Sequence, residues 1–133
     1  MEKVQKPEAQ WKAELPDESF CVLRKHDTER PFTGEYWDKH DAGVYLCRGC
    51  GAELFGSNTK FDSGTGWPSY FQPLDKDSVA FTRDVTLGME RVEVHCARCD
   101  GHLGHMFKDG PPPTGRRYCI NSASLTFKPA EGK

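Results

Sequence analysis

Two Cys-X-X-Cys pairs constrain the fold of this chain more than any other feature of its sequence. One pair is Cys47 and Cys50, and the other is Cys96 and Cys99. A spacing of two residues lets both thiolates of a pair reach one tetrahedral metal ion, so the two pairs supply four ligands. We therefore predict a structural four-cysteine zinc site, with iron in the same sulfur cage or redox disulfides as the alternatives.

The size and composition of the chain suit a fold that a metal helps to stabilise. At 133 residues the chain is expected to form one domain. Its hydrophobic fraction is only 36%, with 13 glycines and 9 prolines, which indicates a thin core and many turns. Four thiolate ligands leave no open position for water or substrate, so the metal would stabilise the fold without catalysing hydrolysis.

The charges and the apolar pattern argue against nucleic-acid and membrane partners. Eighteen basic and twenty acidic residues give a formal net charge of −2, and no long basic run is present. The sequence also contains no apolar run of membrane-spanning length and no apolar leader segment. We expect a cytoplasmic protein, with a lost upstream targeting segment as the lesser alternative. In that reducing compartment, six cysteines indicate metal binding or catalysis.

The organisation along the chain predicts a mainly β domain. Residues 1–14 are polar and are expected to form a flexible lead-in, and residues 15–133 are expected to form the domain. A short helix is predicted over residues 16–26, which carry an early proline, acidic residues and apolar residues at helical spacing. Alternating runs separated by turn residues then predict antiparallel strands: GVYLC, VAFTRDV, RVEVHC and RYCINSASLTF.

One cysteine, Cys119, stands apart from the pairs in the predicted strand RRYCINSAS. Side chains alternate between the two faces of a strand, so Arg117, Cys119 and Asn121 share one face. Tyr118 and Ile120 lie on the opposite face as predicted core residues. A cation, a thiol and an amide side by side favour the wall of a site, and the alternative is a half-exposed strand with a buried free cysteine.

Several motifs together resemble the methionine-R-sulfoxide reductases of the B class. They are TERPFTGEYW, FDSGTGWPSY, the two Cys-X-X-Cys pairs, GHLGHMFKDGPPPTG and RRYCINSASL, and the resemblance runs from about residue 15 to residue 127. It implies a single domain of two antiparallel sheets with short N-terminal helices. It also implies methionine-R-sulfoxide, free or in proteins, as the substrate.

The resemblance assigns the chemistry to residues around Cys119. Cys119 would attack the sulfoxide sulfur and become a sulfenic acid, with Arg117 favouring the thiolate. Trp67, between Gly66 and Pro68, would pack against the substrate methyl group, unless it is a lid on the core.

The resemblance also implies a proton donor, because the sulfoxide oxygen must be protonated. His105 matches that position, and His102, Asp109 and Asn121 would hold a hydrogen-bonded network around the oxygen. A histidine in the glycine-rich segment GHLGH would otherwise orient a turn.

The recycling of a sulfenic acid at Cys119 would require a reductant. Many members of the family carry a second cysteine before the tryptophan, but Thr65 occupies that position here. We hypothesise that Cys21 forms a disulfide with Cys119 that thioredoxin reduces. Alternatively, Cys21 is a packing residue, and a small thiol or thioredoxin reduces the sulfenic acid directly.

Two other function classes use some of the same features. A zinc-knuckle binding module without catalysis would need the paired cysteines but not Cys119. A thiol peroxidase would use a single reactive cysteine and would react with peroxide in preference to sulfoxide. Turnover of methionine-R-sulfoxide with a dithiol distinguishes both classes from the reductase.

Overall fold

The computed structural model describes residues 3–85, 88 and 90–130. Two helices come first, α1 (Glu8–Glu14) and α2 (Asp17–Lys25). The strands that follow are β1 (Gly43–Cys47), β2 (Glu53–Gly56), β3 (Lys60–Phe61), β4 (Ser69–Tyr70), β5 (Val79–Asp84), β6 (Arg91–Cys96), β7 (His102–Phe107), β8 (Arg117–Ile120) and β9 (Leu125–Pro129). The sequence-based bounds 1–14 and 15–133 remain predictions, and residues 1, 2 and 131–133 lie outside the described residues.

The strands form two antiparallel sheets, which confirms the predicted fold class. The smaller sheet has the order β2-β1-β9, and the larger has the order β3-β4-β8-β7-β6-β5. The predicted strands GVYLC, VAFTRDV and RVEVHC correspond to β1, β5 and β6. The helix predicted over residues 16–26 corresponds to α2, with Pro16 at its N-cap.

The run RYCINSASLTF forms two strands instead of one. It contains β8 of the larger sheet and β9 of the smaller sheet, joined by a 3₁₀ turn at Ser122–Ser124. The backbone N–H groups of Ser122 and Ala123 donate to the Glu29 carboxylate. Since those two N–H groups are bound by a side chain, they take no part in a strand ladder, and the chain changes sheets there.

Aromatic rings from both sheets join the sheets in the core. Tyr45 on β1 and Phe55 on β2 contact Tyr70 on β4, and the rings of Phe55 and Tyr70 are stacked with centroids 4.4 Å apart. Phe55 also contacts Tyr118 on β8. Three of these side chains are completely buried and Tyr118 nearly so, so the core is held by a few large rings.

The N-terminal segment differs from the expected lead-in because one tryptophan anchors it. Residues 8–14 form α1, and Trp11 is only 1% exposed. The Arg24 guanidinium of α2 lies 4.7 Å from the centroid of the Trp11 ring. A single large apolar side chain can hold a short polar helix against the domain, and the polar composition around Trp11 hid that effect.

None of the helices in the described residues has the length and apolar composition that a membrane span requires.

Replacing Trp11 with alanine tests whether α1 belongs to the folded domain. We expect Trp11→Ala to lower the free energy of unfolding by about 3–5 kcal/mol, because it leaves a large cavity under the helix. Lys12→Ala is the matched control, since Lys12 is exposed on the same helix, and it should change stability by less than about 0.5 kcal/mol. Equal denaturation midpoints for the two variants would contradict the anchoring of α1 by Trp11.

Candidate active site

The four paired cysteines meet where strands of the two sheets end. Cys47 is the last residue of β1 in the smaller sheet, and Cys96 is the last residue of β6 in the larger sheet. All four Sγ atoms lie within 4.8 Å of one another. The cluster therefore joins the two sheets, as expected of a metal site that stabilises the fold.

The spacing of the sulfur atoms fits a tetrahedral metal. The Cys47 and Cys99 Sγ atoms are 3.7 Å apart, and those of Cys50 and Cys96 are 3.5 Å apart. Metal–sulfur bonds of about 2.3 Å in a tetrahedron separate sulfurs by about 3.8 Å. Four ionised thiols this close need a compensating cation, so the cluster is compatible with a metal held by these four residues.

The backbone after each pair makes the same tight turn. The Gly51 N–H donates to the Cys47 carbonyl at 2.8 Å, and the Asp100 N–H donates to the Cys96 carbonyl at 2.8 Å. Gly51 and Asp100 both have a positive φ, of 81° and 62°. The turn folds the second cysteine of each pair back toward the first, which brings both thiols to the cluster.

Cys119 lies in a separate cavity of about 310 Å³ on the larger sheet. The cavity is lined by side chains from β6, β7, β8 and the loops around Thr28 and Trp67, namely Thr28, Thr65, Trp67, Arg91, His105, Phe107, Arg117, Cys119 and Asn121. Five of the predicted site residues are therefore brought together: Cys119, Arg117, Asn121, His105 and Trp67.

Strand register places the cavity residues side by side. His105 on β7 pairs with Cys119 on β8, and Phe107 pairs with Arg117. The Arg117 guanidinium lies 4.5 Å from the centroid of the Phe107 ring. Gly104 is required beside them, because a Cβ at that position would collide with the Cys119 carbonyl oxygen. Close β7–β8 packing thus fixes the position of the thiol.

The thiol of Cys119 is less readily ionised than its basic neighbour suggested. Burial raises the pKa of Cys119, and the charge of Arg117 and a hydrogen bond from Thr65 lower it only in part. The charge of Arg117 could be inferred from strand alternation, but the loss of hydration around a partly buried thiol could not, and it is the larger effect here.

Glu29 is a site residue that the sequence analysis missed. Its Oε2 accepts from the Ser122 N–H and its Oε1 from the Ala123 N–H, both at 2.9 Å. Its own N–H donates to Asn121 Oδ1 at 3.0 Å, and its carbonyl accepts from Trp67 Nε1 at 3.0 Å. Glu29 stands in the motif TERPFTGEYW, which was the available signal. Its position in the sequence does not distinguish a buried acid with several hydrogen bonds from an exposed one.

Thr65 also belongs to the site, although the sequence indicated only that it replaces the second cysteine of many family members. Its hydroxyl contacts Cys119 and also Ser63 Oγ, at 2.8 Å from the latter. Ser63 in turn is 2.7 Å from Ser69 Oγ, and Ser69 pairs with Cys119 in the β4–β8 register. A short chain of hydroxyl groups therefore supports the thiol from the side opposite to His105.

His105 lies on a strand and not in a turn. The segment GHLGH belongs mainly to β7, where its side chains are fixed by pairing with β6 and β8. His105 Nε2 lies 2.8 Å from Asp84 Oδ2 at the edge of the cavity. Gly101 and Gly104 made the segment resemble a turn in the sequence, because glycine is unfavourable in a strand. Gly104 is nevertheless needed for close strand packing.

Three predicted site residues lie outside the cavity as far as the described residues show. His102 is buried with Nδ1 2.8 Å from Glu93 Oε2, and burial lowers its pKa. Asp109 is exposed, and both of its oxygens accept from Arg117, at 3.0 and 3.2 Å. Cys21 is half-buried on α2 against the core. Among the residues that the structure describes, Arg117 is the one through which Asp109 contacts the site.

Comparisons with known proteins agree with the resemblance. A family model of the SelR domain matches residues 15–129. The chain is 59% identical over 126 residues to the peptide methionine sulfoxide reductase MsrB of Thiobacillus denitrificans, covering 95% of this chain and 96% of that protein. It is 55% identical over 127 residues to MsrB of Agrobacterium fabrum, covering 96% and 94%, and 54% identical over 131 residues to MsrB of Pseudomonas aeruginosa, covering 98% and 99%.

Metal analysis tests the four-cysteine cluster. We expect about one tetrahedral metal ion per chain, and we expect Cys96→Ser to lose it and to unfold with several kcal/mol less free energy, because structural metal binding contributes to folding. Cys21→Ser is the matched control and should retain the metal. A stable, fully active protein without bound metal would contradict the assignment.

The pH dependence of Cys119 alkylation tests the setting of its thiol. Because burial raises the pKa of Cys119, its reaction with iodoacetamide should become faster as the pH rises from neutral and more thiolate forms. Thr65→Val removes a hydrogen bond of about 1 kcal/mol, so alkylation at pH 7 should slow about fivefold and its rising limb should move to higher pH. Thr65→Ser keeps the hydroxyl and should resemble the parent; equal profiles for the valine and serine variants would exclude this role.

Proposed function

The chain belongs to the SelR domain family and is an enzyme of the methionine-R-sulfoxide reductase B class, and we propose that Cys119 is its nucleophile. The observation that carries this proposal is the cavity in which Cys119 lies beside Arg117, His105 and Trp67. The four paired thiols are gathered in their own cluster and are unavailable for this step. Because the relatives are named as reductases, the chain is not the non-catalytic zinc-knuckle module.

The proposed reaction transfers the sulfoxide oxygen to Cys119. The thiolate attacks the sulfoxide sulfur, and a sulfur–sulfur bond forms while the sulfoxide oxygen gains a proton. The hydroxyl group then transfers to the cysteine sulfur, so the sulfur–oxygen bond of the substrate and the sulfur–sulfur bond both break, and methionine leaves. The substrate sulfur gains two electrons, the cysteine sulfur loses two, and the proton delivered to the oxygen, which balances the one lost from the thiol, stays on the sulfenic acid. This first step needs no other reductant.

The cavity residues would assist the transfer in different ways. His105 is positioned to donate a proton to the sulfoxide oxygen, with Asp84 orienting its ring through the 2.8 Å contact. Asn121 is held by Glu29 and by the Leu103 carbonyl, which accepts from Asn121 Nδ2 at 2.9 Å. The Trp67 ring, fixed by its hydrogen bond to Glu29, would pack against the substrate methyl group and favour the R epimer.

Arg117 would act on Cys119 mainly through its charge. Its guanidinium is fixed between Asp109 and the Phe107 ring, so Asp109 is assigned as a positioning residue. The same anchoring keeps a positive charge next to the developing thiolate.

Zinc is the metal that we assign to the four cysteines. Four thiolates in a tetrahedral arrangement suit zinc, which has no redox chemistry at ordinary potentials. Its role would be structural, because no coordination position is left for the substrate, and no step of the reaction passes through it.

Recycling by Cys21 is the second part of the proposal. Cys21 would attack the sulfenic acid to give a Cys21–Cys119 disulfide and water, and the dithiol of thioredoxin would reduce that disulfide. Since Cys21 is outside the described cavity lining, α2 would have to move for the two sulfurs to meet. The predicted cytoplasmic location is a compartment in which thioredoxin works.

Two single-cysteine variants separate the chemical step from recycling. Cys119→Ser should retain the fold and release no methionine from methionine-R-sulfoxide, because a serine hydroxyl is a much weaker nucleophile. Cys21→Ser should release one methionine per chain in a single turnover, as the parent does, but should lose thioredoxin-dependent turnover.

Each variant has an outcome that overturns its part of the proposal. Turnover by Cys119→Ser would place the nucleophile elsewhere. Undiminished thioredoxin-dependent turnover by Cys21→Ser would remove Cys21 from the cycle and favour direct reduction of Cys119.

A further inference from the structure

A second cluster of metal-ligating side chains lies outside the cavity, where α2 ends against the larger sheet. Glu93 Oε2 lies 2.8 Å from His102 Nδ1 and 3.3 Å from His26 Nε2. One ligand atom from each of these three residues lies within 4.8 Å of the other two. The cluster shares no residue with the four cysteines and none with the cavity lining.

The backbone fixes each member of the cluster. His26 is the C-cap residue of α2, and its left-handed conformation, with φ of 59°, ends the helix beside the sheet. Glu93 and His102 lie on the adjacent strands β6 and β7. His102 is oriented by its contact with Glu93, since its Nε2 is buried without a hydrogen-bond partner among the described residues. Three separate elements therefore converge on one point.

The donor set and its spacing suit a divalent transition metal. Two imidazole nitrogens and one carboxylate oxygen are ligands that zinc, nickel and cobalt accept. With bonds of about 2.1 Å, separations of 2.8 and 3.3 Å correspond to ligand–metal–ligand angles of roughly 85° and 105°. Both angles lie within the range of four- to six-coordinate sites.

The three-residue cluster is open to solvent at His26 and covered by protein at His102 and Glu93. The side chains of His102 and Glu93 are 3% and 12% exposed, whereas that of His26 is 63% exposed. An ion would approach from the side of His26, and water would complete its coordination there. The buried ligands are already in place, so only one exposed imidazole has to be ordered on binding.

We propose that His26, Glu93 and His102 form a second cation site, which takes a divalent transition metal with nitrogen and oxygen ligands. Without the ion, the Glu93 carboxylate lies between the two imidazoles, hydrogen-bonded to His102 at 2.8 Å and 3.3 Å from His26 Nε2. With the ion, the C-terminal end of α2 is fastened to β6 and β7. The rings of His102 and His105 are 5.5 Å apart, so the ion would bind a residue whose ring neighbours that of His105.

Nickel binding to the zinc-loaded protein tests the proposal without competing for the four thiolates. The protein carrying Cys21→Ser and Cys119→Ser leaves no free thiol outside the cluster and is titrated with Ni²⁺ by calorimetry. We expect one Ni²⁺ per chain and a melting temperature that rises with Ni²⁺ concentration. In the same background, His26→Ala should weaken binding at least about tenfold and remove the rise in melting temperature.

His40→Ala provides a matched control. His40 is equally exposed, at 62%, and its Nε2 lies 3.0 Å from Asp62 Oδ1, so its removal tests whether any surface histidine beside an acid binds nickel. It should leave both the affinity and the thermal shift unchanged. Absence of Ni²⁺ binding to the parent, equal binding by the parent and His26→Ala, or loss of binding in His40→Ala would each overturn the proposal.

Discussion

The buried carboxylate of Glu29 is the interaction on which the candidate active site depends. It accepts two backbone N–H groups at the turn where the chain passes from the larger to the smaller sheet, and the backbone of the same residue holds Asn121 and Trp67. Glu29 is only 4% exposed, and burial raises its pKa although both N–H groups lower it. Hydrogen bonds to a charged group contribute about 1.5–3 kcal/mol each. One residue thus couples the change of sheet to the positions of Asn121 and Trp67 in the cavity of Cys119.

The other constraint is the four-cysteine cluster, which joins the sheets where β1 and β6 end. Strands β7 and β8 of the larger sheet approach so closely that Gly104 is required. The consequence for Cys119 is a compromise: rigid strand packing orients the thiol but removes water from it, which opposes ionisation. Arg117 and Thr65 offset part of that cost, and the close packing would supply the orientation that the proposed transfer of oxygen between two sulfur atoms needs.

Features that depend on local periodicity were predictable from the sequence, and features that depend on long-range burial were not. Strand alternation correctly put Arg117, Cys119 and Asn121 along one cavity wall, and the spacing of the paired cysteines predicted their cluster. The helix around Trp11 was missed because its anchor lies on another element. The resemblance assigns His102 to the surroundings of the sulfoxide oxygen, which stays a prediction, and its contact with Glu93 on the neighbouring strand could not be predicted from local periodicity. Glu29 left no local pattern, since the partners of its carboxylate are more than ninety positions away.

The central claim is that Cys119 receives the sulfoxide oxygen, and trapping the sulfenic acid tests it most directly. The reduced Cys21→Ser variant is mixed with one equivalent of methionine-R-sulfoxide and a sulfenic-acid-specific reagent such as dimedone, without added reductant. The account predicts one methionine released per chain and one label, found on Cys119 by peptide mass spectrometry. Release of methionine with Cys119 unmodified, or with the label on one of the four clustered cysteines, would contradict it.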